Sequence, residues 1–594
     1  MSYAERLAKE QEIFRDQVEI NDLPPIFHYW SNKYLRAWTE ELGFSNPDQF
    51  FAKHLYEAAE RTGDVPARFV SVGSGNCDTE VRVAKIVREM GLEQFTIECL
   101  DINQTMQERG RELAAVEGVA EHIVPLIGDF NQWQPEGRYT AVMANQALHH
   151  VVELEHLFDA IKSCLHAEGM FLISDMIGRN GHQRWPEALR AVKGFWAELP
   201  VEYRYNHQLK RTEAEFANWD CSVEGFEGVR AQDIMPLLLE RFGFELFCPY
   251  SNVIDPFIDR SFGHHYDPNS DRDRTFIDDL QEFDETEIRA GRLTPTHMMA
   301  ALCIGEARDP TYSRDIDPRA CVRPPDARPW LPSNDDELLE LFRASGGTDE
   351  SYFRLHAPRH QAIKDRVVAG AQPHRVLEIG GHWLHQAARY ALDDVEVLAV
   401  DAPASFERPE VRNAARRFGI RRLVEPTLEN PTALDEIEES SVDLILFTEI
   451  IEHLAFNPVQ LWKALYRVLA PGGRVIVTTP NYYSLRGRTW QPRRFARWGG
   501  GGIYIEDILG SHTYGQHWKE YSMAELVTYF RYLSTDFVLK DAQFMNRFKL
   551  PELHNKRARA AYFVERKIKW LRPQLYLELQ LERKSAGIQA QPSW

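Results

Sequence analysis

The sequence predicts an α/β protein with two domains of the same kind in tandem. The first observation is an apolar run at residues 69–72 that is followed by Gly73, Ser74 and Gly75. The second is a repeat of this pattern, in which residues 375–379 are followed by Gly380 and Gly381. Glycines at the end of a strand let the backbone turn tightly and approach a ligand, ahead of a helix whose amides face the same space. Each copy therefore predicts a site for a nucleotide-like cofactor.

The next strand-like run of each copy ends in an aspartate. Residues 95–100 precede Asp101, and residues 395–400 precede Asp401. A carboxylate beside the glycine turn is suited to accept hydrogen bonds from both hydroxyls of a ribose. In the first copy a third run leads to Asp129, which is placed to accept a hydrogen bond from an adenine amino group.

A fourth strand and a glycine turn complete each copy. Residues 139–145 end in Asn145, and residues 442–448 end in Thr448. A helix then ends in a turn that is complete at residues 469–473, Leu-Ala-Pro-Gly-Gly, and reduced to Glu168 and Gly169 in the first copy. A nicotinamide-binding fold is not expected to repeat this turn.

This succession of parts resembles the class I S-adenosylmethionine-dependent methyltransferases, and it does so twice. The resemblance implies two Rossmann-like seven-stranded domains in tandem, each with helical lid insertions, and S-adenosyl-L-methionine as cofactor. It places these residues around the cofactor: Gly73, Ser74, Gly75, Asp101, Asp129 and Asn145 in the first domain, and Glu378, Gly380, Gly381, Asp401 and Thr448 in the second.

The composition favours a soluble, cytoplasmic enzyme. The chain has 594 residues, 44% of them hydrophobic, and can bury two large cores. Its net charge of −20 disfavours nucleic acid as a partner, because such binding depends on Lys and Arg neutralising phosphates. Seven cysteines without a CxxC pair predict reduced thiols, and no apolar run is long enough to insert in a membrane.

Prolines cluster between residues 306 and 345, where they prevent a continuous helix and favour an extended connector. We therefore predict a first methyltransferase domain at residues 1–305 with a helical N-terminal cap. A Pro-rich linker at 306–345 and a second methyltransferase domain at 346–594 follow. The sequence leaves the oligomeric state open.

The candidate catalytic residues of the first domain are His149, His150 and Asp175, which follow strands four and five. A hydroxyl or amine acceptor needs a base to take its proton, and the unperturbed pKa of imidazole suits this near neutrality. His150 is the first choice, and packing or cofactor contact is the alternative for either histidine. The long aromatic stretch before strand six predicts a substrate lid, with a structural subdomain or a dimer surface as the alternatives.

In the second domain the same edge carries Glu449, Glu452 and His453, and His517 follows later. The Glu-x-x-Glu-His spacing puts three ligand-capable groups on one helical turn. This resembles the metal-dependent 2′-O-methyltransferases of small-RNA 3′ ends, which implies Mg²⁺ or Mn²⁺ in this domain. The alternative is a metal-free site in which Glu452, His453 and His517 act on a small molecule.

An arginine-rich loop in the second domain predicts an anionic acceptor such as a phosphate or a sugar acid, because guanidinium groups bind such anions in bidentate fashion. Pairing with the protein's own acidic surface is the alternative. The loop consists of Arg486, Arg488, Arg493, Arg494 and Arg497, with a glycine run at 499–502.

Three hypotheses on function follow. The first is a tandem methyltransferase that O-methylates a sugar, a surface glycan or a related bacterial metabolite. The second is an RNA-end 2′-O-methyltransferase with a metal site in the second domain. The third is one active domain with a degenerate scaffold, because the loop Gly380-Gly381-His382 lacks a third spaced glycine and has bulky Trp383 beside it.

Overall fold

The structure, a computed structural model, describes residues 3, 5, 6, 9, 23–223, 225–324, 329–485, 503, 505–548 and 555–591. The predicted arginine-rich loop and the glycine run 499–502 lie outside these residues. The chain divides into two compact units, one of Met1–Leu189 with Leu199–Trp330 and one of Arg190–Glu198 with Leu331–Trp594. Each unit has its own large sheet. The domain boundaries at residues 305 and 346 stay predictions.

The first unit is built on a mixed sheet whose central strands are parallel. Its strands are β1 Ala67–Val72, β2 Phe95–Asp101, β3 Ile123–Ile127, β4 Tyr139–Asn145, β5 Leu165–Met176, β6 Tyr205–Asn206, β7 Arg211–Thr212, β8 Phe242–Tyr250, β9 His297–Ile304 and β10 Thr311–Tyr312. Eight of them form one sheet in the order β10-β8-β9-β5-β4-β1-β2-β3, and β6 pairs with β7. Strand β9 is antiparallel to both of its neighbours.

Helices connect these strands and cover the sheet. They are α1 Pro25–Trp30, α2 Arg36–Glu41, α3 Pro47–Thr62, α4 Asp78–Glu89, α5 Gln104–Val116, α6 Leu154–Cys164, α7 Pro186–Trp196, α8 Ala231–Arg241, α9 Asp255–Ile258 and α10 Asp271–Arg289. From Arg190 onward, α7 is counted with the second unit. Strand residues Val70, Val142 and Phe171 share one buried cluster with Leu157 and Phe158 of α6. Parallel strands read as nearly continuous apolar runs because helices bury them.

The second unit repeats this arrangement with seven strands. They are β11 Arg375–Ile379, β12 Glu396–Asp401, β13 Ile420–Val424, β14 Val442–Thr448, β15 Leu469–Pro480, β16 Phe537–Met545 and β17 Gln574–Leu581. The order is β13-β12-β11-β14-β15-β17-β16, with β17 antiparallel to its neighbours. The α-helices are α11 Asp335–Ala344, α12 Glu350–Gly370, α13 Ala387–Ala391, α14 Pro403–Phe406, α15 Pro409–Phe418, α16 Val459–Val468, α17 Ile505–Gly510, α18 Met523–Leu533 and α19 Lys556–Lys567.

The α/β fold with two Rossmann-like sheets is confirmed, with one correction to the strand count. Within the described residues, the second sheet has the predicted seven strands, whereas the first has eight. The extra strand, β10, lies within the stretch predicted as an extended linker. Nearby Ile316 and Val322 pack on the core of the first unit, because apolar residues between the prolines can still be buried.

A long insertion separates β5 from β8 along the chain, and residues 177–241 are named the lid insertion here. Its segment Arg190–Glu198 is counted with the second unit. It contains α7, α8 and the β6–β7 hairpin. In the second unit the stretch between β15 and β16 holds α17 and α18 among its described residues. Among the described residues, no helix is both long and apolar enough to cross a membrane.

Gly110, in the middle of α5, lets this helix pack closely on the chain after β1. A Cβ on Gly110 would lie 2.7 Å from Cys77 Sγ and 2.9 Å from the carbonyl oxygen of Asn76. We expect Gly110→Ala to lower the free energy of unfolding by about 1–3 kcal/mol through overpacking, measured by urea denaturation. Glu112→Ala, at an exposed position of the same helix, should change it by less than about 0.5 kcal/mol. Equal losses in both variants would contradict the packing argument.

Candidate active sites

The first glycine loop follows β1 and leaves its backbone bare. Gly73 has a φ of 71° and Gly75 a φ of 52°, which favours glycine. A Cβ on Gly73 would lie 2.6 Å from the Cβ of Ala147, so a larger residue does not fit. The amides of Gly73 and Ser74 donate to the carbonyl oxygen of Leu100 at 2.9 and 3.3 Å. The loop therefore lies against the end of β2.

Asp101, the last residue of β2, holds this loop through its carboxylate. Its Oδ2 accepts from the amide of Gly75 at 2.9 Å, and its Oδ1 accepts from the amide of Asn103 at 2.8 Å. Burial raises the pKa of Asp101, while these amides and the nearby His150 oppose the rise. The carboxylate is thus fixed beside the loop, where the ribose of a cofactor would meet it.

A cleft of about 180 Å³ opens beside the glycine loop. Ile102, Met106 and Phe130 supply apolar parts of its wall. The accessible backbone of the glycine loop, the carboxylate of Asp101 and these apolar side chains together suit a nucleoside. The predicted residues that line the cleft are Gly73, Ser74, Gly75, Asp101, Asn145 and His150.

Asp129 is not among the residues that line this cleft, although its neighbour Phe130 is. The Asp129 carboxylate accepts from the hydroxyl of Tyr3 at 2.6 Å and from the amide of Asn131 at 2.9 Å. Gln132 Nε2 donates to it at 3.3 Å. That Asp129 accepts a hydrogen bond from an adenine amino group stays a prediction.

His149 and Asp175 form a buried pair behind His150. His149 Nδ1 lies 2.6 Å from Asp175 Oδ1, and the amides of Ala147 and Leu148 donate to Oδ2 at 2.8 and 2.7 Å. Burial favours a low pKa for His149, but the carboxylates of Asp175 and Glu227 raise it to about 10. Burial favours a high pKa for Asp175, but His149 and the amides hold it below its usual value. Each member of the pair therefore stabilises the charged form of the other.

Two residues of the lid insertion, His182 and Glu227, complete this group and were missed by the sequence argument. His182 Nε2 lies 2.8 Å and His149 Nε2 lies 3.5 Å from Glu227 Oε1, while His150 Nε2 lies 3.4 Å from Glu227 Oε2. Burial lowers the pKa of His182. Burial would raise that of Glu227, but the surrounding histidines lower it strongly. No local pattern marks these two residues, because only the folded insertion brings them to the end of β4.

The second glycine loop, after β11, keeps the same backbone contacts with different side chains. The amides of Gly380 and Gly381 donate to the carbonyl oxygen of Val400 at 2.8 and 3.3 Å. The amide of His382 donates to Asp401 Oδ2 at 2.7 Å. Gly380 has a φ of 79°, and a Cβ there would collide with the side chain of Ile450. His382 thus stands where the first loop has its last glycine, and the aspartate still holds the loop.

Glu378 and Thr448 lie close to this second loop. Glu378 is 4% exposed, and its carboxylate accepts from the amide of Ala387 at 3.1 Å. Burial, with a smaller effect from Asp401, raises the pKa of Glu378 to about 8. The hydroxyl of Thr448 donates to Gln386 Oε1 at 3.0 Å. Both residues hydrogen-bond to the start of α13, which follows the loop. Their contact with a cofactor stays a prediction.

The structure brings Glu452, His453 and His517 together after β14. One ligand atom from each lies within 4.8 Å of the others, and the two imidazole rings are 4.7 Å apart. Glu452 is fully buried, and its Oε2 accepts from the hydroxyl of Thr479 at 2.8 Å. Burial and the neighbouring Glu449 raise the pKa of Glu452 well above its usual value. Burial lowers the pKa of His453.

Glu449 is not on the same helical turn, which corrects the spacing argument. It has a φ of 58° and precedes the 3-10 turn Ile451–His453. Its carboxylate lies 3.2 Å from Arg359 Nη1 and accepts from Gln574 Nε2 at 2.7 Å. The left-handed residue turns the chain before the helical turn begins, so Glu449 faces an arginine instead of the histidines.

The two domains place different side chains at matching backbone positions. Gln146 and Glu449 are both left-handed, and each donates its amide at 2.8 Å to a carbonyl of the fifth strand of its sheet. This shared anchor aligns the residues around it. The corresponding pairs are His149 and Glu452, His150 and His453, and Asp175 and Thr479.

Family comparisons agree with the repeated fold. One family model, described as a methyltransferase domain, matches residues 49–246, and a second with the same description matches residues 377–475. The chain belongs to the class I S-adenosylmethionine-dependent methyltransferases. It carries two such domains in tandem. No curated protein gives a sequence match.

Solved methyltransferases are similar at low identity. The O-methyltransferase of a trans-AT PKS multienzyme of Brevibacillus brevis, in complex with S-adenosyl-L-homocysteine, is 12% identical, with 48% of this chain and 82% of that chain covered and a TM-score of 0.27. Geranyl diphosphate C-methyltransferase of Streptomyces coelicolor is also 12% identical, with 50% and 98% covered and a TM-score of 0.28. A putative sarcosine dimethylglycine methyltransferase of Galdieria sulphuraria is 17% identical, with 43% and 84% covered and a TM-score of 0.26. Likenesses this distant say nothing about the acceptor.

The first cleft of this tandem methyltransferase fits S-adenosylmethionine. Gly73 leaves the space that a Cβ would fill, and the fixed carboxylate of Asp101 is suited to the ribose hydroxyls. Met106 and Phe130 offer apolar contacts for the adenine. When bound, the cofactor supplies a methyl group activated by its sulfonium sulfur. The chain's own task is to orient the acceptor and to accept its proton.

Each aspartate that holds a glycine loop should be needed for cofactor binding in its own domain. Asp101→Ala and Asp401→Ala each remove a charge-assisted hydrogen bond to the loop and the acceptor for the ribose, so we expect each to weaken one S-adenosylmethionine site by roughly 10–100-fold. Calorimetric titration of the full chain measures this. The exposed carboxylates Asp159 and Asp365 serve as matched alanine controls. A single site that is insensitive to Asp401→Ala would contradict cofactor binding by the second domain.

Glu378 should make the stability of the second unit depend on pH. Its pKa is about 8 in the folded protein against an ordinary value of 4.5, and Asp401, Tyr352 and Tyr390 are ionisable groups around it. The folded state therefore holds a proton that the unfolded state releases, and stability falls as pH rises from about 4.5 to about 8.

Glu378→Gln removes this titration, so we expect the variant to melt above wild type at pH 8 and close to it at pH 5. Thermal melting followed by circular dichroism provides the measurement. Glu429→Gln, at an exposed position, is the control and should follow wild type at both pH values. A constant difference between Glu378→Gln and wild type across this range would show that Glu378 does not take up a proton on folding.

Proposed function

We propose that this tandem methyltransferase O-methylates hydroxyl groups of a sugar, a surface glycan or a related metabolite. The observation that carries the proposal is the place of His150, which lines the cofactor cleft of the first domain. Its ring lies 4.3 Å from that of His149, which is itself bound to Asp175. A base beside the cofactor is the feature that a hydroxyl acceptor requires.

The two histidines are proposed to have different roles. His149 is 2% exposed, and its ring nitrogens face the carboxylates of Asp175 and Glu227, so it positions its neighbours and does not reach the acceptor. His150 lies in the cleft wall, where its imidazole takes the proton of the acceptor hydroxyl as the oxygen attacks the methyl carbon. Its Nε2 lies 3.4 Å from Glu227 Oε2, and this carboxylate orients the ring.

Exposed aromatic side chains in the lid insertion support a sugar as the acceptor. Trp219 is 43% exposed and Tyr205 is 37% exposed, and the guanidinium of Arg211 lies 5.9 Å from the centre of the Trp219 ring. An aromatic face packs against the C–H face of a sugar ring, while neighbouring polar groups bind its hydroxyls. The same insertion supplies His182 and Glu227 to the group beside His150, which links the acceptor surface to the reacting end of the cleft.

The second domain is proposed to bind a second S-adenosylmethionine, with Glu452, His453 and His517 at its acceptor end. The intact hydrogen bond from His382 to Asp401 supports cofactor binding over a degenerate scaffold. Metal-dependent transfer is the second candidate for this domain, favoured by the grouping of Glu452, His453 and His517. The net charge of −20 counts against RNA as its acceptor.

The proposed location is the cytoplasm. All seven cysteines lie among the described residues, and all are free thiols. Free thiols without disulfides are typical of a reducing compartment.

His150→Ala should abolish most methyl transfer by the first domain and leave cofactor binding intact. Loss of a general base lowers kcat by roughly 10²–10⁴-fold, and we expect the affinity for S-adenosylmethionine to change by less than about threefold. The assay follows labelled methyl groups from S-adenosylmethionine into a panel of sugars and glycans in the Asp401→Ala background, with mass spectrometry locating the methylated oxygen. His264→Ala, an exposed histidine of the same unit, is the control. Full activity of His150→Ala, or methylation on carbon or nitrogen, would refute the proposal.

A further inference from the structure

Three imidazole rings meet at one carboxylate in the first domain. Glu227 Oε1 lies 2.8 Å from His182 Nε2 and 3.5 Å from His149 Nε2, and Glu227 Oε2 lies 3.4 Å from His150 Nε2. One ligand atom each from His149, His182 and Glu227 lies within 4.8 Å of the others. Ligands bound at about 2.0–2.1 Å to a tetrahedral ion are about 3.4 Å apart. The observed separations of 2.8 and 3.5 Å lie on either side of that value.

The backbone that carries His182 and Glu227 is held in an uncommon conformation. His182 has a φ of 53°, and Gly181 and Gly228, next to the two ligand candidates, have φ values of 63° and 65°. The amide of Gly181 donates to the carbonyl oxygen of Gly228 at 2.8 Å. A Cβ on Gly228 would lie 3.1 Å from His182 Cε1. A left-handed histidine held by two glycines is a strained feature of the kind that collects at functional sites.

The hydrogen bond between His149 and Asp175 leaves the other ring nitrogen of His149 facing Glu227, and this contact is stable only with a positive charge between the two groups. Its Nδ1 faces Asp175 Oδ1 at 2.6 Å, so a neutral ring donates its one N–H there and turns a lone pair of Nε2 toward Glu227. That lone pair would meet a carboxylate oxygen 3.5 Å away. Two lone pairs facing one another in a buried site repel unless a positive charge lies between them. A proton on Nε2 or a metal ion satisfies this requirement.

We propose that the first domain binds one divalent transition-metal ion through His149 Nε2, His182 Nε2 and a carboxylate oxygen of Glu227. Two imidazoles and one carboxylate suit zinc, iron or a similar ion rather than magnesium, which prefers oxygen ligands. Asp175 stands behind His149 as the carboxylate that fixes the ring nitrogen of a metal-bound histidine. With neutral imidazoles the group carries the two negative charges of Asp175 and Glu227, which a dication balances.

The metal site goes beyond the proposed function and does not need a hydroxyl acceptor. If the acceptor is a hydroxyl, a metal ion next to His150 would lower the pKa of that hydroxyl and hold the acceptor in place. This consequence rests on the proposed function, whereas the metal site itself rests on the geometry of His149, His182 and Glu227 alone.

The test is a titration of the full-length, chelator-treated protein with cobalt(II), followed by visible ligand-field absorption and elemental analysis. We expect wild type to bind one more equivalent of cobalt than either His182→Ala or the isosteric Glu227→Gln. Asp175→Asn should still bind this equivalent of cobalt, but with an affinity that is lower by roughly 10–100-fold. Loss of a carboxylate behind a metal-bound histidine has this effect. Far-UV circular dichroism and S-adenosylmethionine titration confirm that each variant is folded, and none of these readouts depends on an acceptor.

Two control variants separate this site from other histidines. His517→Ala removes a member of the second-domain cluster, and His207→Ala removes an exposed histidine of the lid insertion whose ring lies near His264 and His265. Both should keep the equivalent that His182→Ala loses. Equal cobalt content in wild type, His182→Ala and Glu227→Gln would overturn the proposal. The positive charge between His149 and Glu227 would then be a proton on His149 Nε2. A signal lost only in His517→Ala would overturn it too, by moving the metal to the second domain.

Discussion

An aspartate at the end of the second strand of each domain holds the glycine loop on which each site depends. Asp101 accepts the amide of Gly75, and Asp401 accepts the amide of His382, at 2.9 and 2.7 Å. A hydrogen bond to a carboxylate is stronger than one between neutral groups, and here it adds to the backbone hydrogen bonds that tie each loop to the end of the second strand. The glycine after each first strand must stay small, because the residue above it, Ala147 or Ile450, fills the space of a Cβ.

The same backbone carries two different chemistries. Behind His150, the ring of His149 lies between two carboxylates, an arrangement that attracts positive charge. At the matching position of the second domain, Oε2 of Glu452 accepts a hydrogen bond from the hydroxyl of Thr479. Among the described residues, no group donates a hydrogen bond to the other oxygen, Oε1. Burial there favours the neutral acid. Two copies of one fold thus present different polar groups at the same place, because the side chains at the strand ends change while the backbone contacts of the loop are kept.

The lid insertion is the part of the first domain that makes its site more than a cofactor cleft. It carries His182 and Glu227 to the end of β4, where they surround His149 and His150. Close contact between Gly181 and Gly228 keeps together the two segments that carry His182 and Glu227. The insertion also presents Trp219 to solvent. One segment of the chain therefore supplies both an exposed aromatic ring and part of the polar group beside the cleft.

The sequence by itself determined the two sheets, the loop glycines and the aspartates that hold them, because strands, tight turns and their order are local patterns in the chain. It also pointed to His149, His150 and Asp175, since these follow directly on predicted strands, and the structure brings them together. Their catalytic role stays a prediction. It could not find His182 or Glu227, which lie in an insertion without a regular pattern and gain their meaning only through contacts across the fold. It misplaced Glu449, because a single left-handed residue breaks the helical spacing on which the argument relied. Only the tertiary structure decided which polar groups share a site, because the energy of a charge or a lone pair depends on the group that faces it in space.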